Sequence, residues 1–338
     1  MINFDYTRAD SVADALRQMA GDPTAKFIAG GTNLIDLMKG DVERPRRLID
    51  ISRLPLTAVE EAPSGGVRIG ALVPNSDLAY HPLIAQRYPI VASAILAGAS
   101  QQLRNMASTG GNLMQRTRCF YFYDTATPCN KRQPGSGCSA INGVNRINAI
   151  LGTSEACIAT HPSDMCVALA ALDAKVHVVG PAGARIIPFA DFHRLPGDTP
   201  QLDTNLRRDE IVTTIELPEK GFAANYTYLK IRDRLSYAFA LVSIAAALEM
   251  DGDTIKEARL ALGGVAHKPW RSVDAETALR GQPAAAASFA NAADLLLRGA
   301  KGYGHNDFKI GLARRGIVRA LTQAAHATPQ SQSVKKVR

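Results

Sequence analysis

Four cysteines, Cys119, Cys129, Cys138 and Cys157, fall within one segment, separated by nine, eight and eighteen residues. None forms a C-x-x-C pair, so the spacing alone is a weak metal signature. The residues between them add to it. Pro128, Pro134, Gly135 and Gly137 permit the tight winding that can direct several thiolates at one centre. Four thiolates suit an iron–sulfur cubane or a tetrahedral zinc ion, and the same residues could also pair as disulfides. Arg116, Arg118, Lys131 and Arg132 lie close in sequence. They could offset the negative charge of an oxidised cubane, or simply face water. Cys166, inside the apolar run MCVALAALDA, reads as a buried core cysteine.

Two glycine turns stand upstream. In FIAGGTNLI, Gly30 and Gly31 lie between an apolar run and a helical one; in STGGNL, Gly110 and Gly111 stand just before the cysteines. Glycines let a backbone approach an anion and turn its N–H groups inward, and a following helix adds its positive end. Thr32 and Asn33 in the first turn, and Ser108, Thr109 and Asn112 in the second, supply polar neighbours. Two such turns could hold the two phosphates of a dinucleotide. Neither is the G-x-G-x-x-G of a Rossmann crossover, and a single Gly–Gly is most often only a tight turn. In HPSDM, Asp164 could accept from ribose or ribityl hydroxyls, or cap a helix together with Ser163.

The elements that must position these residues are readable in outline. SVADALRQMAG places Val12, Ala15, Leu16 and Met19 on one helical face before Gly21. AKFIAGG predicts a short buried strand, TNLIDLMKG a helix closed by Gly40, and RRLIDIS a second strand. GGVRIGALV predicts a strand, and PNSDLAYHPLIAQRYPIVASAILAGAS is mostly helical. HPSDMCVALAALDAKVHVVG predicts a helix and then a strand, and IVTTIELP a strand ending at Pro218. After a boundary near Gly221, the extended runs YTYLKIR, ALVSIAAALEM and EARLALGGVA precede helices in SVDAETALRG and AAASFANAADLLLRGA. That order predicts an α+β domain with an antiparallel sheet. The polar tail ATPQSQSVKKVR reads as disordered.

The chain has 338 residues, 46% of them hydrophobic, enough for two or three domains with a substantial core. Its net charge of +8 is spread along the sequence, which fits solubility and docking to an anionic cofactor or an acidic partner. No recognition-helix, zinc-finger or RNP-like pattern argues for nucleic acid. The N-terminus lacks the basic-then-apolar order of a signal peptide, and no run approaches the roughly 18 to 20 apolar residues of a membrane span. The expectation is a soluble chain with no membrane contact and no export signal of its own.

Taken together, KFIAGGTNLIDLMK, RNMASTGGNLMQRTRC, ATHPSDM, YLKIRDRLSYAFALVSIAAAL and LALGGVAHKPWR resemble the FAD-binding medium subunit of the molybdenum hydroxylases, the xanthine dehydrogenase family. The resemblance covers nearly the whole chain. Within the family it is nearest to flavin subunits of periplasmic aldehyde oxidoreductases whose loop carries an extra [4Fe–4S] cluster. It implies an α+β fold: a PCMH/VAO-type FAD-binding domain of two α/β subdomains, then a CO-dehydrogenase-flavoprotein-like C-terminal domain with a small antiparallel sheet and helices. The boundaries expected are 1–220, with subdomains of about 1–55 and 56–220 and a cluster loop at 113–160, then 221–327, then a disordered tail at 328–338.

The resemblance also assigns residues. The first FAD loop falls on Lys26, Phe27, Ile28, Ala29, Gly30, Gly31, Thr32, Asn33 and Leu34, and the second on Ser108, Thr109, Gly111 and Asn112. Asp164 falls on an aspartate that holds the FAD sugar, Val212 on a flavin-contacting aliphatic, and Lys230 on a lysine near the isoalloxazine. Cys119, Cys129, Cys138 and Cys157 fall on the cluster ligands, with Cys166 outside the pattern. No catalytic residue is implied, because substrate oxidation occurs on a partner.

The implied function is an FAD and [4Fe–4S] electron-transfer subunit of an aldehyde oxidoreductase. Its partners are a molybdenum-cofactor large subunit and a [2Fe–2S] small subunit, and reduced FAD discharges to an external acceptor. The cysteine loop, and the lack of a bulky aromatic near Gly98, set the chain apart from the eukaryotic enzymes and argue against NAD as that acceptor. The implied location is periplasmic, by co-export with a signal-bearing partner; the alternative is cytoplasmic. Competing readings are the FAD subunit of another molybdenum hydroxylase, a flavin oxidase that binds its own substrate, and a zinc-stapled binding module.

Overall fold

The structure is a computed structural model that describes residues 1–332; residues 333–338 lie outside the described part. Its first sheet holds three parallel strands, β1 (Asp5–Arg8), β2 (Ala25–Ile28) and β3 (Arg47–Asp50), in the order β1-β3-β2. Parallel neighbours need crossovers, and helices Val12–Ala20 and Leu34–Lys39 supply them. Ser11 starts the first helix by accepting from the Asp14 amide. β1 is absent from the sequence expectation because its four residues are short, polar and mostly exposed. Pairing with β3, and the Arg8 bond to Asp50, hold it.

The second sheet is antiparallel: β4 (Val59–Glu61), β5 (Val67–Gly70), β6 (Lys175–Gly180), β7 (Gly183–Pro188) and β8 (Ile211–Leu217), in the order β4-β5-β8-β6-β7. Helices between Asn75 and Ala97 share one core with it, as the apolar stretch there predicts. Helix Asp164–Ala171 is buried at every residue. A helix that is apolar all round must be covered all round, and this one packs between helix Pro89–Ala97 and the third sheet.

The third sheet, also antiparallel, holds β9 (Asn225–Ile231), β10 (Val242–Asp251), β11 (Thr254–Gly263) and β12 (Trp270–Arg271), in the order β12-β11-β10-β9. Helices Val273–Leu279, Ala286–Leu296 and Phe308–Ala325 share one core with it. The last helix is missing from the sequence expectation, although Ala313, Ile317, Ala320, Leu321 and Ala324 recur at helical spacing and are all buried. Among the described residues no helix is long and apolar enough to cross a membrane.

The tail from residue 328 differs from the disorder expected of it, as far as it is described. Gln330 donates its amide to Thr227 Oγ1 at 3.0 Å and accepts from the Lys230 amide at 2.9 Å, and Gln332 donates to the Tyr228 carbonyl at 3.2 Å. β9 is an edge strand, so it offers unpaired backbone groups. A glutamine-rich segment satisfies them. The remainder of the expected disordered segment, 333–338, lies outside the described residues.

Candidate cofactor site

Where the three sheets meet lies a cavity of about 1400 Å³. The whole run from Lys26 to Leu34 lines it, as do Ser108, Gly111, Asn112, Asp164, Val212 and Lys230. Thr109 is the exception among the residues read from sequence. It is buried, and its hydroxyl donates to the Val73 carbonyl at 2.8 Å, which anchors the second turn to the segment that follows β5 instead of facing the cavity.

The two glycine turns face each other because Gly30 has no side chain. A Cβ there would lie 1.8 Å from the Met106 carbonyl oxygen, two residues before Ser108. Gly31 takes φ +71°, a conformation that favours glycine. Among the described residues, the amides of residues 30 to 34 donate to no backbone carbonyl, and backbone pairing resumes with the Ile35 amide on the Gly31 carbonyl. Five successive free N–H groups running into the start of a helix suit an anion. Asn33 accepts from the Arg116 amide at 2.9 Å, and its Nδ2 is buried without a partner.

The second turn is tied to the acid by side chains. Asn112 donates to Asn75 and accepts from Ser163, and Ser163 caps helix Asp164–Ala171 by accepting from the Cys166 amide at 3.1 Å. Asp164 itself does not cap. Its Oδ1 accepts from the Tyr228 hydroxyl at 2.7 Å, and its Oδ2 accepts from Lys230 Nζ at 2.8 Å. Tyr228 was not read as a site residue. The signal was available, since Tyr228 and Lys230 are two apart on β9 and so share a face. Gly98 belongs to the same arrangement, for a Cβ there would stand 3.0 Å from Asp164 Oδ2. Any side chain at this position would press on the acid where it stands.

The loop runs along the cavity wall from Asn112 through Arg116 and Arg118 to Tyr123, turns away, and meets the wall again at Ile147 and Thr160. Inside it, Cys119, Cys129, Cys138 and Cys157 line one small enclosed cavity. Residues Cys129 and Cys138 pair as an antiparallel bridge, and Gly135 and Gly137 turn the chain between them with φ of +83° and +102°. Asn148 Nδ2 stands 3.5 Å from Cys119 Sγ, and the Ala159 amide 3.4 Å from Cys157 Sγ. All five cysteines are free thiols. Burial raises the Cys119 thiol above its usual value and pushes Cys157 up to about 12, against the pull of Lys131. Among the described residues, no three of these four sulfurs lie within 4.8 Å of one another. Leu37 packs in the apolar cluster around the cysteines and also lines the large cavity, so the two spaces are neighbours.

Of the four basic residues expected near the cysteines, the structure brings one to their cavity. Lys131 lines it, fully buried, and donates to Asp203 and to the Pro200 carbonyl. Arg116 lies in the wall of the large cavity instead, with Nε 2.7 Å from Asp203 Oδ2 and Nη1 2.6 Å from Glu43. Arg118 stands against Asp36 and Tyr123, and Arg132 donates to the carbonyls of Tyr121 and Phe122. A guanidinium finds carboxylates and carbonyls sooner than a distant thiolate. Burial works against the Asp203 carboxylate, yet Lys131 and Arg116 hold it well below the usual range. Glu43 and Asp203, both missing from the sequence reading, thus bind the cysteine loop to the first glycine turn.

Comparison with known proteins decides what this frame is. Residues 2–220 match the family described as the FAD binding domain in molybdopterin dehydrogenase, and residues 226–324 match the CO dehydrogenase flavoprotein C-terminal domain. The chain belongs to the FAD-binding medium-subunit family of the molybdenum hydroxylases. It is 50% identical over 322 residues to the aldehyde oxidoreductase FAD-binding subunit PaoB of Escherichia coli, covering 95% of this chain and 98% of that one. The glyceraldehyde dehydrogenase medium chain of Sulfolobus acidocaldarius is 29% identical, over 81% of this chain and 79% of its own. Reconstituted CO dehydrogenase from Oligotropha carboxidovorans shares the fold, with a TM-score of 0.76 over 97% of this chain and 100% of that one, at 24% identity.

The expected fold class therefore holds. The chain is an FAD-binding subunit of an oxidoreductase of this family. The cavity fits that cofactor: the free amides of residues 30 to 34 and the unpartnered Asn33 Nδ2 suit a pyrophosphate, and the volume suits a dinucleotide.

Proposed function

We propose that the chain is the FAD- and [4Fe–4S]-carrying electron-transfer subunit of a molybdenum-containing aldehyde oxidoreductase. In this reading it assembles with a molybdenum-cofactor large subunit and a [2Fe–2S] small subunit, and it delivers electrons to an external acceptor. The 50% identity to a subunit named for aldehyde oxidation supports the substrate class. The observation that carries the cluster is the convergence of Cys119, Cys129, Cys138 and Cys157 on one cavity beside the flavin site.

The donor set favours a cubane over zinc. Zinc–sulfur bonds of about 2.3 Å would draw four tetrahedral sulfurs to roughly 3.8 Å of one another. No three of the four described sulfurs share a 4.8 Å envelope, a looser grouping that suits ligands to the separate irons of a cubane.

When bound, FAD supplies the exchange between one-electron and two-electron chemistry, and the cubane supplies single-electron chemistry. The protein's contribution is position and charge. The amides of residues 30 to 34 hold the pyrophosphate. Asp164 and Lys230 act as a neutral pair, in which Asp164 keeps its second oxygen on Tyr228 while Lys230 presents a cation to negative charge developing on the ring. Val212, nearly buried in the cavity wall, excludes water. Lys131 holds a buried positive charge at the cysteines. Export in the folded state, carried by a signal-bearing partner to the periplasm, completes the reading.

Anaerobic addition of an aldehyde to the purified chain, alone and assembled with the two partners, tests this. Flavin absorbance is expected to bleach only in the assembly. Bleaching of the lone chain would make it a self-sufficient flavin oxidase instead.

A further inference from the structure

Behind the second glycine turn, apart from the loop cysteines, His161, Cys166 and His193 each offer a ligand atom, and these three atoms lie within 4.8 Å of one another. All three side chains are buried, Cys166 completely. The two imidazoles stand with ring centroids 4.2 Å apart and planes tilted by 48°. Each carries a nitrogen without a hydrogen-bond partner among the described residues, Nε2 of His161 and Nδ1 of His193. A buried polar atom left unpaired forfeits its hydration without replacement. Two such atoms beside one thiol are more than apolar packing accounts for.

The other nitrogen of His193 is satisfied. Its Nε2 lies 2.9 Å from the Leu113 carbonyl oxygen. A carbonyl only accepts, so Nε2 carries the proton and Nδ1 presents a lone pair. A backbone carbonyl fixing the far N–H is the usual support of a metal-ligating histidine. Burial keeps both rings neutral, pushing His193 down to about 4 and His161 well below its ordinary value. Burial also pushes the Cys166 thiol up to about 12, so the proton stays on sulfur unless a cation replaces it.

We propose that His161, Cys166 and His193 form a site for a thiophilic divalent cation, zinc in the first instance, held by one thiolate and two neutral imidazoles. Zinc–nitrogen and zinc–sulfur bonds of about 2.0–2.1 and 2.3 Å set tetrahedral ligands roughly 3.3 to 3.6 Å apart. The three atoms already lie within 4.8 Å of one another, so a small inward shift of the side chains reaches that spacing. On binding, the Cys166 proton leaves to solvent and the sulfur–metal bond takes its place. His161 also lines the large cavity, so water from there can fill the fourth position. The ion would pin the second glycine turn, through Leu113 and His193, to the helix that begins at Asp164. Nothing in this site depends on the loop cysteines or on iron.

The test uses the full chain with its FAD, incubated with zinc(II), dialysed, and assayed for zinc by mass spectrometry. About one zinc per wild-type chain is expected, falling to near none in Cys166→Ala and in His193→Phe, with folding checked by circular dichroism. Wild-type protein that retains no zinc, or a folded Cys166→Ala that retains as much as wild type, would overturn the site. If neither variant folds, an anomalous difference map of wild-type crystals at the zinc edge decides. A peak among the three side chains supports the site and no peak there overturns it.

Discussion

Lys230 Nζ donates to Asp164 Oδ2 at 2.8 Å in the wall of the flavin cavity, where both side chains are nearly shut off from water. Sequence resemblance gives these residues separate tasks, one on the sugar and one near the ring. The structure makes them one unit. Removing either partner leaves a buried charge alone, which costs about 3–5 kcal/mol. Asp164→Asn and Lys230→Met are each expected to lower stability by that order and to lower FAD content. The double variant is expected to cost less than the sum, with a coupling of about 1–3 kcal/mol. Denaturant unfolding of the four proteins measures it, and additive costs would show that the pairing is incidental.

Gly30 is expected to tolerate no side chain. A Cβ at this position meets the Met106 carbonyl oxygen at 1.8 Å, and a backbone atom cannot step aside alone. Gly30→Ala should cost about 2–4 kcal/mol and empty the protein of FAD. Gly21→Ala is the control, since its nearest neighbours stand 3.7 Å away and its φ is −75°. It should stay within roughly 0.5 kcal/mol of wild type. FAD retained by Gly30→Ala at wild-type level would refute the close approach of the two turns.

Lys131 is the one cation of its group in the wall of the cysteine cavity, and Lys131→Met takes it away while Asp203 keeps Arg116. With less positive charge nearby, adding an electron to an anionic cluster becomes harder. The midpoint potential is therefore expected to fall, as read by potentiometry followed with electron paramagnetic resonance. Lys26→Met, whose side chain lines the large cavity and not that of the cysteines, should shift it far less. A rise in the Lys131 variant would contradict the assignment.

Lys309 predicts a pH dependence. Its Nζ is buried against the carbonyls of Asn148, at 2.8 Å, and Gly264. Burial first, and then the charge of Arg146, push its pKa down to about 7, from about 10.4 in an unfolded chain. Between these values the unfolded chain holds a proton that the folded one has lost. The unfolded state thus binds more protons, and stability rises with pH. The unfolding free energy should climb from about pH 7 to about pH 10, by at most ~4 kcal/mol. Lys309→Met should flatten that climb, and an unchanged slope in the variant would assign it to other groups.

The parts of this site that are local in sequence were legible there. A Gly–Gly between strand and helix, with Thr32 and Asn33 beside it, is a turn whose chemistry sits within five residues. The cysteine loop betrayed itself by its prolines and glycines. The network from Lys26 through Glu43, Arg116 and Asp203 to Lys131 was not legible, because its members meet only through the fold. The same holds for Cys166. It reads as core in an apolar helix and is buried, yet folding brings His161 and His193 to it from other segments. Helix Phe308–Ala325 was obscured by its arginines, although its buried stripe keeps helical spacing.

The central claim is that Cys119, Cys129, Cys138 and Cys157 hold a [4Fe–4S] cluster beside the flavin. Iron, acid-labile sulfide, zinc and FAD should be assayed together on anaerobically purified protein, wild type and Cys129→Ser. About four irons and four sulfides per FAD are expected in wild type, with the iron lost and the FAD kept in the variant. Iron-free wild-type protein, or a metal content that Cys129→Ser does not change, would contradict it.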